Sequence, residues 1–327
     1  GRTLSGDLFL DCTGFAARLI NHDKKNHFFD KTDMLFVDRA VTTRIPHKGV
    51  ASINGYTTST AQDSGWIWDI NLQSRLGVGY VYSSRYCDDD TALATLANYL
   101  DKPVESFEAR NLAMRIGYYQ QQWRGNCIAV GLASGFLEPL ESTGIYLAEM
   151  VNWALAEFIP RFMSGNNPQA QYNAAIAHHY ENIVDFLKLH YCTTGRKDTP
   201  FWVDNTQPET IPDSLQAKLQ AWETDCPSIY DFDRRIQCFS APNYQFVLYG
   251  MGWKSHKRSD PSVTAPYTAL MEQLKIRRER LKQFVLRDTL SNADIYQALA
   301  NTTLPEGGIT LEQNALPPSG ASNFQLR

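Results

Sequence analysis

The sequence predicts a mixed α+β or α/β fold, with strands concentrated before residue 143 and helices after it. Short apolar or alternating runs bounded by glycine and other turn residues fill the first part, as is typical of strands. In the second part, apolar residues recur every three or four positions over long segments, as is typical of helices. We therefore expect a mainly β segment, 1–142, and a helical segment, 143–327.

The composition limits the classes of protein and partner. The chain has 327 residues, of which 43% are hydrophobic and 20% charged, which predicts a globular protein. Its net charge of -4 argues against nucleic acid or an anionic membrane as a main partner. No apolar run approaches the roughly 20 residues that a membrane span needs. The sequence therefore predicts a protein that acts on neither nucleic acid nor membranes.

Six scattered cysteines show no short-range pairing. Cys12 and Cys127 lie inside strand-like apolar runs, so we expect buried thiols, with neither a disulfide framework nor a zinc site. Thiols of this kind indicate a reducing compartment, and we expect the cytoplasm.

Several strands are predicted before residue 143. Residues 7–14 indicate a strand and a glycine turn, and residues 34–45 and 50–59 alternate as in an antiparallel hairpin. A second hairpin joins 65–70 to 77–82 and places Trp66 and Trp68 on one face. Residues 88–100 predict a helix, and residues 109–118 another strand.

A short apolar run, 127–130, predicts a buried strand that ends at Gly131, and a helix is expected from Ile145 to about Phe162. The free N–H groups and the dipole of a helix N-terminus suit an anionic ligand. The ordinary alternative is that Ser142 or Thr143 only caps the helix.

Further helices are predicted at about 169–191, 213–223, 243–252 and 267–290, followed by a loosely held tail from 314. His178, Glu181 and Asp185 share one face of the first of these helices. Three such side chains can bind a metal, but a solvated polar face is the better explanation, and we predict no metal site.

The string Phe-Leu-Glu-Pro-Leu-Glu-Ser-Thr-Gly-Ile, residues 136–145, closely resembles the active-site segment of flavin-dependent halogenases of the tryptophan halogenase type. Residues 65–70 match the family's Trp-x-Trp-x-Ile-Pro signature, although Asn71 replaces its proline, and residues 198–202 also resemble the family. The resemblance implies an FAD monooxygenase-like fold. Part of its nucleotide-binding sheet and antiparallel hairpins would precede a helical subdomain on the substrate side.

The resemblance also implies a reaction. Reduced FAD, supplied by a separate flavin reductase, reacts with O2 to a hydroperoxide. Chloride or bromide then attacks the distal oxygen, and the hypohalous acid reaches an electron-rich aromatic such as an indole or a phenol through a tunnel. A homodimer is compatible with this assignment.

The family resemblance assigns roles to several residues. Glu141 is the expected catalytic residue, which would stabilise the cationic substrate intermediate and accept its proton. The others are Thr143 and Gly144 for the halide, Gly14, Gly131, Leu132 and Ile145 for the flavin, and Trp66 and Trp68 for the tunnel.

Two features of the family are absent from the sequence: its Gly-x-Gly-x-x-Gly loop and a lysine of its amino-terminal third. We therefore expect the chain to correspond to the carboxyl-terminal two-thirds of a halogenase and to be inactive alone. An FAD-dependent aromatic hydroxylase is the first alternative. Such enzymes carry Gly-Asp where this chain has Gly131 and Leu132, which favours the halogenase. The second alternative is a non-catalytic interaction domain.

Residues 243–253 are the expected substrate-binding segment, with Tyr244 and Tyr249 as candidates. Family members that act on free tryptophan hold its amino-acid end with a tyrosine pair and a carboxylate. This segment contains no Asp or Glu, and a buried ammonium without a carboxylate partner is costly. We therefore expect a larger or less charged aromatic than free tryptophan.

Overall fold

The computed structural model describes residues 5–47, 53–72, 74–233, 237–255 and 261–288, together with residues 291, 294 and 295. Its strands are β1 (Phe9–Asp11), β2 (Phe28–Asp30), β3 (Arg39–Pro46), β4 (Thr57–Gln62), β5 (Gly65–Asn71), β6 (Arg75–Tyr82), β7 (Ala109–Ala113), β8 (Gly117–Tyr119), β9 (Trp123–Arg124), β10 (Cys127–Ala129) and β11 (Gly135–Phe136). Its α-helices are α1 (Asp89–Leu100), α2 (Thr143–Met163), α3 (Gln169–Cys192), α4 (Pro200–Asp204), α5 (Asp213–Trp222), α6 (Ala241–Gly250) and α7 (Pro261–Asp288).

Three sheets organise the strands. The largest is antiparallel, with the order β4-β5-β6-β3-β7, and a small sheet has the order β11-β8-β2. In the third sheet, β1 runs parallel to β10, which pairs antiparallel with β9. The mixed α/β class, the hairpin of β5 and β6, and helices α1, α2, α3, α5, α6 and α7 therefore confirm the sequence-based expectations, whereas the short helix α4 is not among the predicted ones.

The predicted hairpin of 34–45 with 50–59 is wrong. β3 pairs with β6 and β7, whereas β4 pairs with β5. Alternation shows that a segment is a strand, but partner choice depends on contacts distant in sequence. The predicted strand 109–118 is also divided, because β7 joins the large sheet and β8 joins a different one.

One apolar core joins the two halves of the chain. Ile128 and Leu137 from the β part pack in the same cluster as Leu147, Val151 and residues of α3. A separate cluster, built on β3, β5, β6 and α1, packs α1 against one face of the large sheet with side chains such as Ile67 and Tyr80. The boundary at 142/143 remains a prediction.

Two expectations about single side chains are wrong. Cys12 is exposed and Cys127 is only partly buried. Asp185 does not belong to a solvated face: it is 3% exposed and its carboxylate binds the ammonium of Lys218 at 2.7 Å. The described residues contain no group of metal-ligating side chains, and no described helix has the length and hydropathy to cross a membrane. The tail from 314 lies outside the described residues.

Candidate active site

A cavity of about 680 Å³ lies between the large sheet and the N-terminus of α2. Trp66 and Trp68 of β5 form one wall, and Gly131 and Leu132, which follow β10, form part of another. The residues that precede and begin α2 complete the lining, which includes Glu141, Ser142, Gly144 and Ile145. The structure thus brings together seven of the residues that the sequence singled out for the site.

Left-handed backbone conformations place Glu141 at this cavity. Glu141 has φ 63° and Ser142 has φ 55°, and the helix α2 begins directly after them. A non-glycine residue in this region costs on the order of 1–3 kcal/mol, and such strain concentrates at functional sites. This two-residue turn precedes α2 and places the Glu141 side chain, which is half-exposed, at the cavity.

His190 of α3, which does not line the cavity, contacts the carboxylate of Glu141. Its Nε2 lies 3.3 Å from Oε1 of Glu141, and its Nδ1 lies 2.9 Å from the carbonyl oxygen of Phe186. The hydrogen bond with His190 lowers the pKa of Glu141, against the opposite effect of burial. Sequence reasoning missed His190, because α3 is recognisable from its period but nothing in the sequence shows which of its turns faces Glu141.

Glu138 supports the tryptophan wall. It is fully buried, and one of its oxygens accepts hydrogen bonds from the Trp66 indole N–H at 3.3 Å and from the Tyr191 hydroxyl at 2.7 Å. Burial raises the pKa of Glu138 to about 7. The buried Glu138 carboxylate therefore helps to hold the Trp66 side chain in place.

The turns at Gly14 and Gly131 follow the carboxyl ends of the neighbouring parallel strands β1 and β10. This edge of a parallel sheet is where α/β folds bind ligands. Both glycines have positive φ, 67° and 60°, and open space where a side chain would stand. The turn that begins at Gly14 contacts the turn that begins at Gly131, but Gly14 does not line the cavity.

Three further predicted residues lie away from the cavity lining. The side chain of Thr143 is buried at the start of α2, which leaves its backbone as the group that can face a ligand. Tyr244 is fully buried among Phe186, Trp222 and Phe232, so the placement gives it no room to contact a substrate. Tyr249 is 46% exposed and does not line the cavity either.

We expect Gly79→Ala to disturb the tryptophan wall. A Cβ at Gly79 would stand 2.1 Å from the Trp68 ring, so the ring must move. Overpacking of this kind costs about 1–3 kcal/mol, to be measured by urea denaturation. Gly77→Ala is the matched control on the same strand and face, because its Cβ would meet only Ile70 O, at 3.7 Å. Equal destabilisation by the two variants would show that Trp68 does not require the gap at Gly79.

Solved structures of halogenases share this fold. A tryptophan halogenase from Shewanella frigidimarina superposes with a TM-score of 0.82 and 37% identity, covering 90% of this chain and 57% of that protein. Xcc4156, a flavin-dependent halogenase from Xanthomonas campestris, superposes with a TM-score of 0.81 and 32% identity, over 91% and 59% of the two chains. The FAD monooxygenase-like architecture implied by the sequence is thus the observed one.

The tryptophan halogenase family model matches residues 1–266, and the chain belongs to this family. It is 35% identical over 302 residues to the tryptophan 6-halogenase SttH of Streptomyces toxytricini, covering 90% of this chain and 56% of that protein. It is also 33% identical over 265 residues to the tryptophan 7-halogenase RebH of Lentzea aerocolonigenes, covering 77% and 50%. The chain therefore spans little more than half the length of these relatives.

Proposed function

We propose that the full-length protein is a flavin-dependent halogenase of an electron-rich aromatic substrate such as an indole, and that the cavity described above is its active site. The observation that carries this proposal is the position of Glu141. Its carboxylate lies in one cavity with Trp66 and Trp68 and directly before the N-terminus of α2. The names of the relatives, which are tryptophan 6- and 7-halogenases, support the same reaction class.

The edge of the cavity fits a flat ring system. Leu132 and Ile145 are apolar yet 39% and 69% exposed, and Gly131 between strand and turn presents no side chain there. A planar ligand would cover both apolar side chains and approach the backbone at the glycine. We infer that these three residues, with Gly14 nearby, contact FAD, which supplies with O2 the oxidising power for the halide.

The first turn of α2 is the proposed halide site. Its N–H groups, at Thr143, Gly144 and Ile145, are not used by the hydrogen bonds of the helix itself, and the helix dipole favours an anion there. Gly144 lines the cavity, and a Cβ at this position would still be 3.5 Å from Phe136. Protein packing therefore does not demand glycine at 144, whereas close approach of a ligand would.

Glu141 is the proposed catalytic residue. Halogenation of an aromatic carbon creates a cationic ring, from which a proton must leave to restore aromaticity. A carboxylate at the cavity wall stabilises this cation and accepts its proton. The lowered pKa of Glu141 keeps it ionised and ready for this step.

A halide soak tests the anion site. We expect a crystal of the full-length protein soaked in bromide to show anomalous density at the backbone of residues 143–145. Chloride competition is the control, because a specific site exchanges the two halides. Anomalous density elsewhere in the cavity, and none at this turn, would contradict the assignment.

The charges of the residues that line the cavity also predict which substrates are preferred. Among the described residues that line the cavity, Glu141 is the only charged side chain, so no described cation is available there for the carboxylate of free tryptophan. We therefore expect bromination of neutral indoles and phenols to be faster than that of free tryptophan.

Turnover of an aromatic panel with a flavin reductase, NADH, FAD, O2 and bromide tests both the reaction and its selectivity. Brominated product from any member supports the halogenase. Hydroxylated product without bromine would favour the alternative aromatic hydroxylase, although Leu132 after Gly131 departs from the Gly-Asp of those enzymes. Fast bromination of free tryptophan, with indole and phenols untouched, would show that the selectivity is wrong.

Three further expectations complete the proposal. The reduced flavin comes from a separate reductase, the protein is cytoplasmic, and a homodimer is compatible with the assignment. Six free cysteines among the described residues are consistent with a reducing compartment.

A further inference from the structure

The hydrogen bonds of His190 fix which of its nitrogens can carry a proton. Nδ1 lies 2.9 Å from the carbonyl oxygen of Phe186, an acceptor only, so Nδ1 carries a hydrogen. A neutral imidazole has a single N–H, which leaves a lone pair on Nε2. Nε2 faces the carboxylate of Glu141 at 3.3 Å, and this contact is attractive only if a second proton lies between them. The arrangement therefore pairs an imidazolium with a carboxylate, or an imidazole with a carboxylic acid.

The surroundings favour the ionic form of this pair. The acidic groups that face His190 are Glu141 and, within electrostatic reach, the buried Glu138, whose pKa burial raises to about 7, while Lys188 is on its own helix. Cys238, from the segment before α6, is within electrostatic reach of Glu141; burial, and to a lesser extent the Glu141 charge, raises the pKa of this thiol to about 12 and leaves it neutral. His190 is 17% exposed, and the edge of its ring packs against Phe186, with ring centroids 4.9 Å apart. A packed ring of this kind has one orientation, with Nε2 directed at Glu141.

Glu141 needs such a partner because its backbone is strained. Glu141 and Ser142 both adopt left-handed conformations, and the turn could relax if nothing held the side chain. His190 is held by α3, a 24-residue helix with a buried carboxyl-terminal half, and is therefore a rigid support. One contact thus fixes both the direction and the charge of the carboxylate.

We propose that His190 is a positioning residue, which holds Glu141 as a carboxylate directed into the cavity by donating a hydrogen bond from Nε2. This inference rests on the proposed function only where it concerns turnover, since the pairing itself is a property of the chain. His190 does not line the cavity, so its effect on the reaction passes through Glu141.

His190→Gln separates charge from shape, because glutamine can donate a hydrogen bond but carries no positive charge. The hydrogen bond from neutral glutamine is weaker than the charge-assisted one it replaces, so burial raises the pKa of the Glu141 carboxyl group above its wild-type value. Below that pKa the carboxyl group is protonated and cannot accept the substrate's proton. The ratio of the halogenation rate at pH 8 to that at pH 5 is therefore expected to rise about three- to tenfold over the wild type. A purely structural role would lower both rates equally and leave the ratio unchanged.

Two further variants serve as controls for this rate ratio. His179→Gln removes a histidine of the same helix whose Nδ1 lies 3.3 Å from the Tyr146 hydroxyl, and it should leave the ratio as in the wild type. His190→Lys restores a positive charge and should return the ratio toward the wild-type value. Thermal unfolding of each variant shows whether the fold is retained.

An infrared titration of the full-length protein without flavin, halide or substrate tests the pairing independently of any activity. The protonated-carboxyl band of Glu141, identified by its loss in Glu141→Gln, should appear at higher pH in His190→Gln than in the wild type. Coincident titrations in the two proteins would overturn the proposal even if the enzyme halogenates. A shifted titration in a protein that brominates nothing would instead retain the pairing and refute the proposed function.

Discussion

Replacing Glu141 with glutamine is expected to lower halogenation by about 10²–10⁴-fold, the usual contribution of a general acid or base, while flavin oxidation continues. Glutamine has nearly the same shape but neither stabilises a cationic ring by charge nor accepts its proton. The measurement is a paired assay of the full-length protein: consumption of reduced flavin or O2 on one side, and halogenated product on the other. We expect flavin oxidation to continue while the amount of halogenated product formed per flavin oxidised falls.

Glu149→Gln is the matched control for this experiment. Glu149 lies on the exposed side of α2, seven residues after the last strained residue of the turn, and it does not line the cavity. It should halogenate as the wild type does. Halogenation by Glu141→Gln within about twofold of the wild type would remove the catalytic role from Glu141.

Replacing Glu138 with glutamine is expected to change how stability depends on pH. Burial raises the pKa of Glu138 from 4.5 to about 7, so the folded protein binds this proton more tightly than the unfolded chain does. The stabilisation is fully present below about pH 4.5 and is lost as the pH rises toward 7. Each unit corresponds to about 1.4 kcal/mol, so the free energy of unfolding should fall by roughly 2–3 kcal/mol between pH 5 and 7.5 on account of this group.

The glutamine variant keeps an acceptor for the Trp66 and Tyr191 donors but has no proton to lose. The difference in unfolding free energy between wild type and variant should therefore shift by that amount in favour of the variant over this pH range. Denaturant unfolding at several pH values measures it. Lys188, whose pKa burial lowers to about 8, affects stability mainly above this range. A constant difference from pH 5 to 7.5 would mean that Glu138 is ionised in the folded protein at pH 5.

Short-range patterns predicted much of the fold. Helices α2, α3 and α5 were predictable because their apolar residues keep a helical period over ten or more positions. The turn between β5 and β6 joins segments that are neighbours in sequence, so this hairpin was also predictable. The partner of β3 was not, because β6 and β7 lie some 30 to 70 positions further along the chain and the period of a strand does not identify its neighbour.

The candidate site divides in the same way. The sequence by itself determined the class of protein, because Glu141-Ser-Thr-Gly144 and the paired tryptophans each occupy one continuous stretch whose order carries the chemistry. Only the tertiary structure showed His190 behind Glu141 and Glu138 beneath Trp66, since both contacts join segments about 50 or more residues apart. It likewise placed Tyr244 inside the core, because the burial of an aromatic residue on a helix depends on which face the neighbouring helices cover.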